Sequence, residues 1–308
     1  MTIRIATNSQ YSAVLDNIMA AQARQTEAGA QVSSQKKATD LKGYAADSET
    51  LSALQSVQSK VASFLDQGTV LTNKLSTQDL ALNQLADSAD GASQAIKDAL
   101  ASGRGDTLMQ ALQGFFQNSV EALNTKFNGR YLFAGAQVNT QPVQIANMSQ
   151  LTTPVSALFH NDQYVTTNQV DETTTINSGF LADKLGTGLF NAYQAIQAFN
   201  SGPNGPFTGT LTQTQITFLQ GQIGNFDTEH DNLTSDAGQN GLMQKQVDNI
   251  SSDLGNRQTM LQQLVGNITD VDMAKAASDL QMAQLSVQAA AQVFSTLKGS
   301  SLLNLLGP

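Results

Sequence analysis

Leu54 to Ala99 is the stretch that decides the fold. Read in steps of three and four it gives Leu54, Val57, Val61, Phe64, Gly68, Leu71, Leu75, Gln78, Leu82, Leu85, Ala89, Ala92, Ile96 and Ala99. Gly68 and Gln78 alone interrupt the apolar series, and no proline falls within it. A stripe sustained over this many turns marks a long helix with one narrow buried seam. At about 1.5 Å per residue, roughly 45 residues make a rod on the order of 70 Å long. Such a rod cannot bury its seam alone. It needs partner helices, from the same chain or from a neighbour.

Upstream, Tyr11, Val14, Ile18, Ala21, Gln25, Ala28 and Val32 repeat the spacing. They predict a first helix starting near Ser9 or Gln10, after a frayed start. Ser33 to Tyr44 has no period and reads as a loop, with Lys36-Lys37 a solvated turn rather than a basic patch. Asp47 or Ser48 is placed to cap the long helix, and Glu49 in its first turn suits the helix dipole. Downstream, Ser102-Gly103-Arg104-Gly105-Asp106 is a turn. It is no phosphate loop, because no Gly-Lys-Ser/Thr follows. Asp106 or Thr107 then caps a helix carrying Leu108, Leu112, Phe115, Phe116, Val120, Leu123 and Phe127, which Asn128-Gly129 stops.

From Arg130 to about Phe180 the period changes. Tyr131 to Gly135 is short and apolar. Ser156 to Thr166 reads as a hairpin turning at Asn161-Asp162, and Gln169 to Ile176 alternates with many threonines. These are strand signals. Helical spacing resumes through Leu185, Leu189, Ala192, Tyr193, Ile196 and Phe199, then breaks at Ser201 to Pro206. A second long stripe follows: Met243, Val247, Ile250, Leu254, Arg257, Leu261, Leu264 and Ile268. Thr269-Asp270-Val271-Asp272 interrupts it, with Asp270 or Asp272 as the cap of a last helix through Ala276, Leu280, Ala283, Val287, Ala290, Phe294 and Leu297. The layout predicts a mainly α fold: a long antiparallel helical coiled-coil core built from the N- and C-terminal regions, with a small β-rich middle insertion. The expected division is 1–130, 131–184 and 185–308.

Composition narrows the function classes. The 308 residues include 13% charged residues, against about 25% in an ordinary globular chain. The formal charge of −9 argues against nucleic acid and against anionic membrane surfaces as partners. Zero cysteine removes disulfides and thiolate chemistry, and with only 2 histidines a zinc site is not expected. Met1 to Ile5 is not followed by the apolar core of a secretory signal, and no apolar run reaches transmembrane length. His160 reads as a loop histidine and His230 as a helix-face histidine, while Asp270 and Asp272 read as helix-start acids rather than a catalytic pair. No metal, cofactor or catalytic residues are expected. The leucines Leu302, Leu303, Leu305 and Leu306 either dock on their own domain or wait for another subunit.

Three segments carry a family resemblance. They are Ile3-Arg4-Ile5-Ala6-Thr7-Asn8 with the helix after it; Asn128-Gly129-Arg130-Tyr131-Leu132-Phe133-Ala134-Gly135 with Asn139-Thr140-Gln141-Pro142; and Asp270-Val271-Asp272 through Gln281, Leu285, Gln288, Ala289 and Phe294 to Leu303. Together they resemble the bacterial flagellin superfamily, in its hook-associated, hook–filament junction branch, over about two-thirds of the chain. The resemblance implies an extracellular structural protein of the flagellum, exported unfolded by the type III route without a cleaved signal. It implies self-assembly into a ring between hook-side protein and flagellin, and a cytoplasmic export chaperone that first holds the terminal helix. The interface residues implied are Ile3, Ile5, Leu15, Ile18, Leu280, Val287, Phe294, Leu297, Leu302, Leu303, Leu305 and Leu306. Filament flagellin itself is the nearest alternative. A wall hydrolase is a poorer fit, because residues 131–181 offer only Asp162, Asp171 and Glu172 as acids. A cytoplasmic coiled-coil partner protein would not depend on export.

Overall fold

The computed structural model describes residues 2–152 and 154–306, and for residues 2–11 and 298–306 the backbone course only. The elements are α1 (Thr2–Ser34), α2 (Ser48–Ser102), α3 (Leu108–Leu123), β1 (Lys126–Phe127), β2 (Arg130–Tyr131), β3 (Thr167–Gln169), β4 (Thr175–Asn177), α4 (Ala182–Ser201), α5 (Gln213–Thr269) and α6 (Met273–Leu306). A short 3-10 turn, Leu41–Asp47, precedes α2. The fold is mainly α, and the two antiparallel two-stranded sheets are small. The chain forms two compact units: Met1–Lys60 with Arg257–Pro308, and Val61–Asn256.

In the unit Val61–Asn256, α2 and α5 run antiparallel. Asn240 Nδ2 and Gln244 Nε2 both donate to Leu75 O, at 2.9 and 3.1 Å, and His230 Nδ1 lies 3.1 Å from Ala86 O. The stripe is buried as read, through Val61, Gly68, Leu71, Leu75, Gln78, Leu82, Leu85, Ala89, Ala92, Ile96 and Ala99. Both interruptions have physical causes. A Cβ on Gly68 would come 2.9 Å from Ser251 Oγ, so glycine lets α5 approach closely. Gln78 lies fully buried and its Nε2 donates to Ser178 O at 2.9 Å, joining the helix to the segment after β4.

From Ala81 onward the seam widens into a face, with Ala81, Ala86, Ser88 and Ser93 buried beside the stripe. That face packs with α3, α4 and the start of α5 in one core of leucines and aromatics. Phe116, Phe190, Tyr193 and Phe226 form a connected cluster, with Phe116 ring centroids 5.1 Å from Phe190 and 5.5 Å from Tyr193, and Tyr193 5.0 Å from Phe226. A smaller cluster seats the β3–β4 hairpin through Val170 and Ile176 on Leu71, Leu75 and Val247.

Four local expectations are corrected. Helix α1 starts at Thr2 rather than near Ser9, since no glycine or proline opposes helix in Thr2–Gln10. Helix α3 ends at Leu123, so Phe127 is a strand residue. Asn128 (φ 50°) and Gly129 (φ 78°) make a two-residue hairpin turn that pairs Phe127 with Arg130. Two consecutive positive φ values match the strand twist and suit Asn-Gly. Of Asp106 and Thr107, Thr107 takes the N-cap position of α3, without a side-chain capping bond, while the Asp106 carboxylate accepts from Gly209 N at 2.7 Å and Arg104 Nε at 2.9 Å, closing the α2–α3 turn against the loop before α5.

Ser156 to Thr166 is not a hairpin. It holds a 3-10 turn (Val155–Leu158), and Phe159 pairs with Val143 instead. Asp162 there accepts from Ala136 N and Tyr164 N, which draws the carboxylate inward rather than leaving it at a turn tip. The hairpin lies just beyond, with Thr167 opposite Asn177 and Gln169 opposite Thr175, turned by Asp171 accepting from Thr173 N and Thr174 N. Finally, the outer ends of the two long stripes change phase. Gln58 and Val265 are half-buried where Val57 and Leu264 were expected, and Val57, Arg257 and Leu264 are exposed. A helix of 3.6 residues per turn drifts against a strict heptad, so the buried positions step over by one.

Candidate functional site

The interface candidates lie in the unit Met1–Lys60 with Arg257–Pro308. Here α1 packs along α6. The seam on α1 is Val14, Ile18, Ala21, Gln25, Ala28 and Val32; that on α6 is Ala276, Leu280, Ala283, Val287, Ala290, Phe294 and Leu297. Both agree with the spacing in the sequence. The fully buried members are alanines: Ala21, Ala28, Ala276 and Ala283. The larger side chains, Ile18, Leu280, Val287, Phe294 and Leu297, are half-buried. Alanine contacts bring the backbones close but remove little apolar area from water, so this pair gains little from its own seam. Along one flank a groove of about 430 Å³ is lined by Arg24, Glu27, Gln31, Asp279, Met282 and Ser286.

Several large apolar side chains stand among polar ones on the pair's outer faces. Leu15 is 49% exposed, Leu285 60% and Val293 50%, and Met19 and Met282 are also exposed. Of these, Leu15 was expected from the sequence. The others sit off the three-four stripe, so a search for the seam passes over them. Their signal was an apolar residue on a flank that the seam does not need. Ile3, Ile5, Leu302, Leu303, Leu305 and Leu306 lie on the course of α1 and α6, but their side chains fall outside the described residues.

A clamp joins the end of α1 to the α5–α6 turn. Lys37 N donates to Thr269 O at 2.7 Å and Val271 N to Gln35 O at 3.1 Å. Lys37 Nζ reaches Asn267 O (3.0 Å) and Ile268 O (2.8 Å), the free carbonyls at the C-terminus of α5, where a cation also meets the favourable end of the dipole. Lys36 Nζ pairs with Asp270 Oδ1 at 2.5 Å and donates to Thr269 Oγ1 at 3.1 Å. The Lys36 hydrogen bond, aided by Thr269, holds the Asp270 carboxyl below the usual carboxylate range. Gln35, at φ 58°, makes the reversal that brings the lysines round.

The two lysines are thus structural, a role the sequence reading missed; cations just beyond a helix end were the available signal. Asp272, by contrast, caps α6 as expected, its Oδ1 accepting from Ala274 N and Lys275 N. His160 is exposed in a loop and His230 lies on the face of α5. Among the described residues no group of three or more His, Cys, Asp or Glu is placed to hold a metal. Among them, too, no helix is long and apolar enough to cross a membrane.

This arrangement of long helical ends around a small β-bearing middle matches known proteins. Residues 223–306, most of α5 and all of α6, match the bacterial flagellin C-terminal helical region. Among solved structures, a protein described as a flagellar hook-associated protein from Vibrio parahaemolyticus superposes with a TM-score of 0.58 at 15% identity, covering 71% of this chain and 96% of that one. FlgL of Bacillus cereus superposes with a TM-score of 0.54 at 14% identity, covering 68% of this chain and 96% of its own. The fold is that of flagellar hook-associated proteins. The resemblance drawn from the sequence termini thus meets an independent match at the C-terminal region and a shared fold over most of the chain. A comparison with curated proteins gives no significant match.

Proposed function

We propose that this chain is a structural subunit of the bacterial flagellum, a hook-associated protein that joins hook to filament. The observation that carries the reading is the flagellin-type C-terminal region, residues 223–306, within a chain that shares the hook-associated fold. The exposed Leu15, Leu285 and Val293 of α1 and α6 support it, because a helix pair held by alanines and flanked by exposed leucine and valine is suited to further burial against neighbouring subunits. Each fully covered leucine or valine contributes about 1.5–3 kcal/mol. In this reading residues 1–130 and 185–308 supply the helical core and 131–184 the outer insertion. Copies of the chain form a ring, with hook-side protein below and flagellin above. Ile3, Ile5, Leu15, Ile18, Leu280, Val287, Phe294, Leu297, Leu302, Leu303, Leu305 and Leu306 contribute to subunit or chaperone contacts. Delivery is by the flagellar type III route, with a cytoplasmic chaperone covering the apolar face of α6 in a helix-in-groove manner. The role is structural rather than catalytic.

Filament flagellin is the second reading, favoured by the flagellin identity of the C-terminal match. Immunogold labelling of intact and detached flagella with antibody to this chain separates the two. Label confined to the hook–filament boundary is expected. Label along the filament would make the chain a flagellin, and no label outside the cell would overturn the flagellar reading.

A further inference from the structure

The β3–β4 hairpin covers α2 and α5 with a mixed underside. Val170 and Ile176 pack on Leu71, Leu75 and Val247, in a cluster separate from the aromatic core of the same unit. Beside them, two bonds from α2 end on the buried Ser178, just after β4. Gln78 Nε2 donates to its carbonyl oxygen at 2.9 Å and Lys74 Nζ to its hydroxyl oxygen at 3.2 Å. Asn168 Nδ2, on β3, donates to the same hydroxyl oxygen at 2.5 Å. Two groups on α2 have unmet needs there. Gln78 Oε1 is buried without a donor. Turning the amide over would set that oxygen against Ser178 O, acceptor against acceptor. Asn240 on α5 offers no relief: its Nδ2 is spent on Leu75 O, and its own Oδ1 lacks a donor. The other group is the Lys74 ammonium, which meets a hydroxyl rather than a carboxylate, and whose pKa is lowered by burial.

We propose that the β3–β4 hairpin is a strap, latched at Ser178, that lifts from α2 and α5 in a local opening while the aromatic core of the unit stays closed. Lifting returns Gln78 Oε1 and the Lys74 ammonium to water, which offsets part of what Val170 and Ile176 lose by exposure. The two legs of the strap move together. Ser178 N donates to Thr166 O at 2.9 Å, and Gly179 lets the legs approach so closely that a Cβ there would come 2.5 Å from Thr166 N. Each strand is three residues long, too short to keep its ladder once undocked, so opening frees the hairpin amides to exchange. It also bares the seam at Leu71, Leu75 and Val247. The inference is independent of the assembly reading given above.

The test is amide hydrogen exchange on the purified full-length protein, read by mass spectrometry on peptides covering residues 166–178 and 82–99. The hairpin is expected to exchange on the order of 100-fold faster than the core stretch of α2. Lys74→Met keeps the apolar stem and removes the poorly solvated charge, so it should slow exchange of 166–178 several-fold and leave 82–99 unchanged. Ser178→Ala removes the oxygen that Lys74 and Asn168 share, and should speed exchange of 166–178 several-fold. A purely structural Lys74 bond would instead make Lys74→Met faster than wild type. That result, an unchanged rate in either variant, or exchange of 166–178 no faster than that of 82–99 would each overturn the proposal. The wild-type comparison stands without any variant.

Discussion

The two units bury different residues. Around α3 and α4, side chains of full size go inside: Phe116, Phe190, Leu82, Leu85, Leu112 and Leu189 are wholly enclosed. Along α1 and α6 it is the alanines that are enclosed, while Leu15, Leu285 and Val293 face outward. Similar heptad spacing thus serves two ends. In one unit it is the edge of a broad core closed by short helices; in the other it is a thin seam. A leucine–phenylalanine core can hold its unit together within one chain, whereas an alanine seam contributes less per residue and leaves stabilisation to be gained from other chains.

The sharpest way to break that comparison is truncation on either side of it. Phe116→Ala removes a ring in contact with Phe190 and Tyr193 and should cost about 3–5 kcal/mol. Leu285→Ser, on the outer face of α6, should change stability by less than about 0.5 kcal/mol. Chemical denaturation followed by circular dichroism measures both. If Leu285→Ser cost as much as Phe116→Ala, the outer face would already be covered within the monomer and the contrast would fail.

A second substitution probes how tightly the aromatic core is closed. Gly91 lies in α2, where alanine is the better helix former by about 1 kcal/mol. A Cβ there would come within 2.3 Å of the Phe115 ring. Gly91→Ala should therefore destabilise by about 1–3 kcal/mol, overpacking outweighing propensity. A rise in melting temperature would mean that Phe115 swings aside freely and that this edge of the core is loose.

How legible the chain was follows the same division. The seams of α1, α2 and α6 stood in the sequence because one-sided burial imposes a period, and the stripes Val61 to Ala99 and Ala276 to Leu297 are buried or half-buried in that register. The middle was harder. Asn161-Asp162 has turn chemistry, yet Asn161 Nδ2 reaches Asp183 Oδ1 at 2.8 Å and Asp162 accepts from Ala136 N at 3.0 Å. Polar side chains that bond to distant backbone look, in sequence, like those that bond to their own. Phe127 kept the apolar spacing of α3, but the positive φ pair after it won, since hairpin closure sets the backbone on both sides. For the candidate surface, spacing marked the residues that face inward. It carried no mark for Met19, Met282 or Val293, which lie off the seam and exposed.

The smallest expected effect concerns the clamp at the base of α1. Asp270→Asn removes the charge paired with Lys36 while keeping a similar shape. The two partners are each about half exposed, so global stability should hardly move. The local consequence is opening of the Gln35–Asp270 region, visible as faster amide hydrogen exchange at Lys37 and Val271, whose N–H groups bond across the clamp. On the order of a 2–5-fold increase over wild type is expected near pH 7. The sign with pH follows from the depressed Asp270 carboxyl. Its contribution is present above the unfolded carboxylate value of about 3.9, and is lost as pH falls through the lower folded value. The ratio of variant to wild-type exchange should therefore shrink toward one in acid, with each pH compared against itself to remove the intrinsic exchange rate. A ratio independent of pH would assign the effect to lost hydrogen-bond geometry rather than charge. A ratio of one throughout would leave Lys37, with its bonds to Asn267 O and Ile268 O, holding the clamp alone.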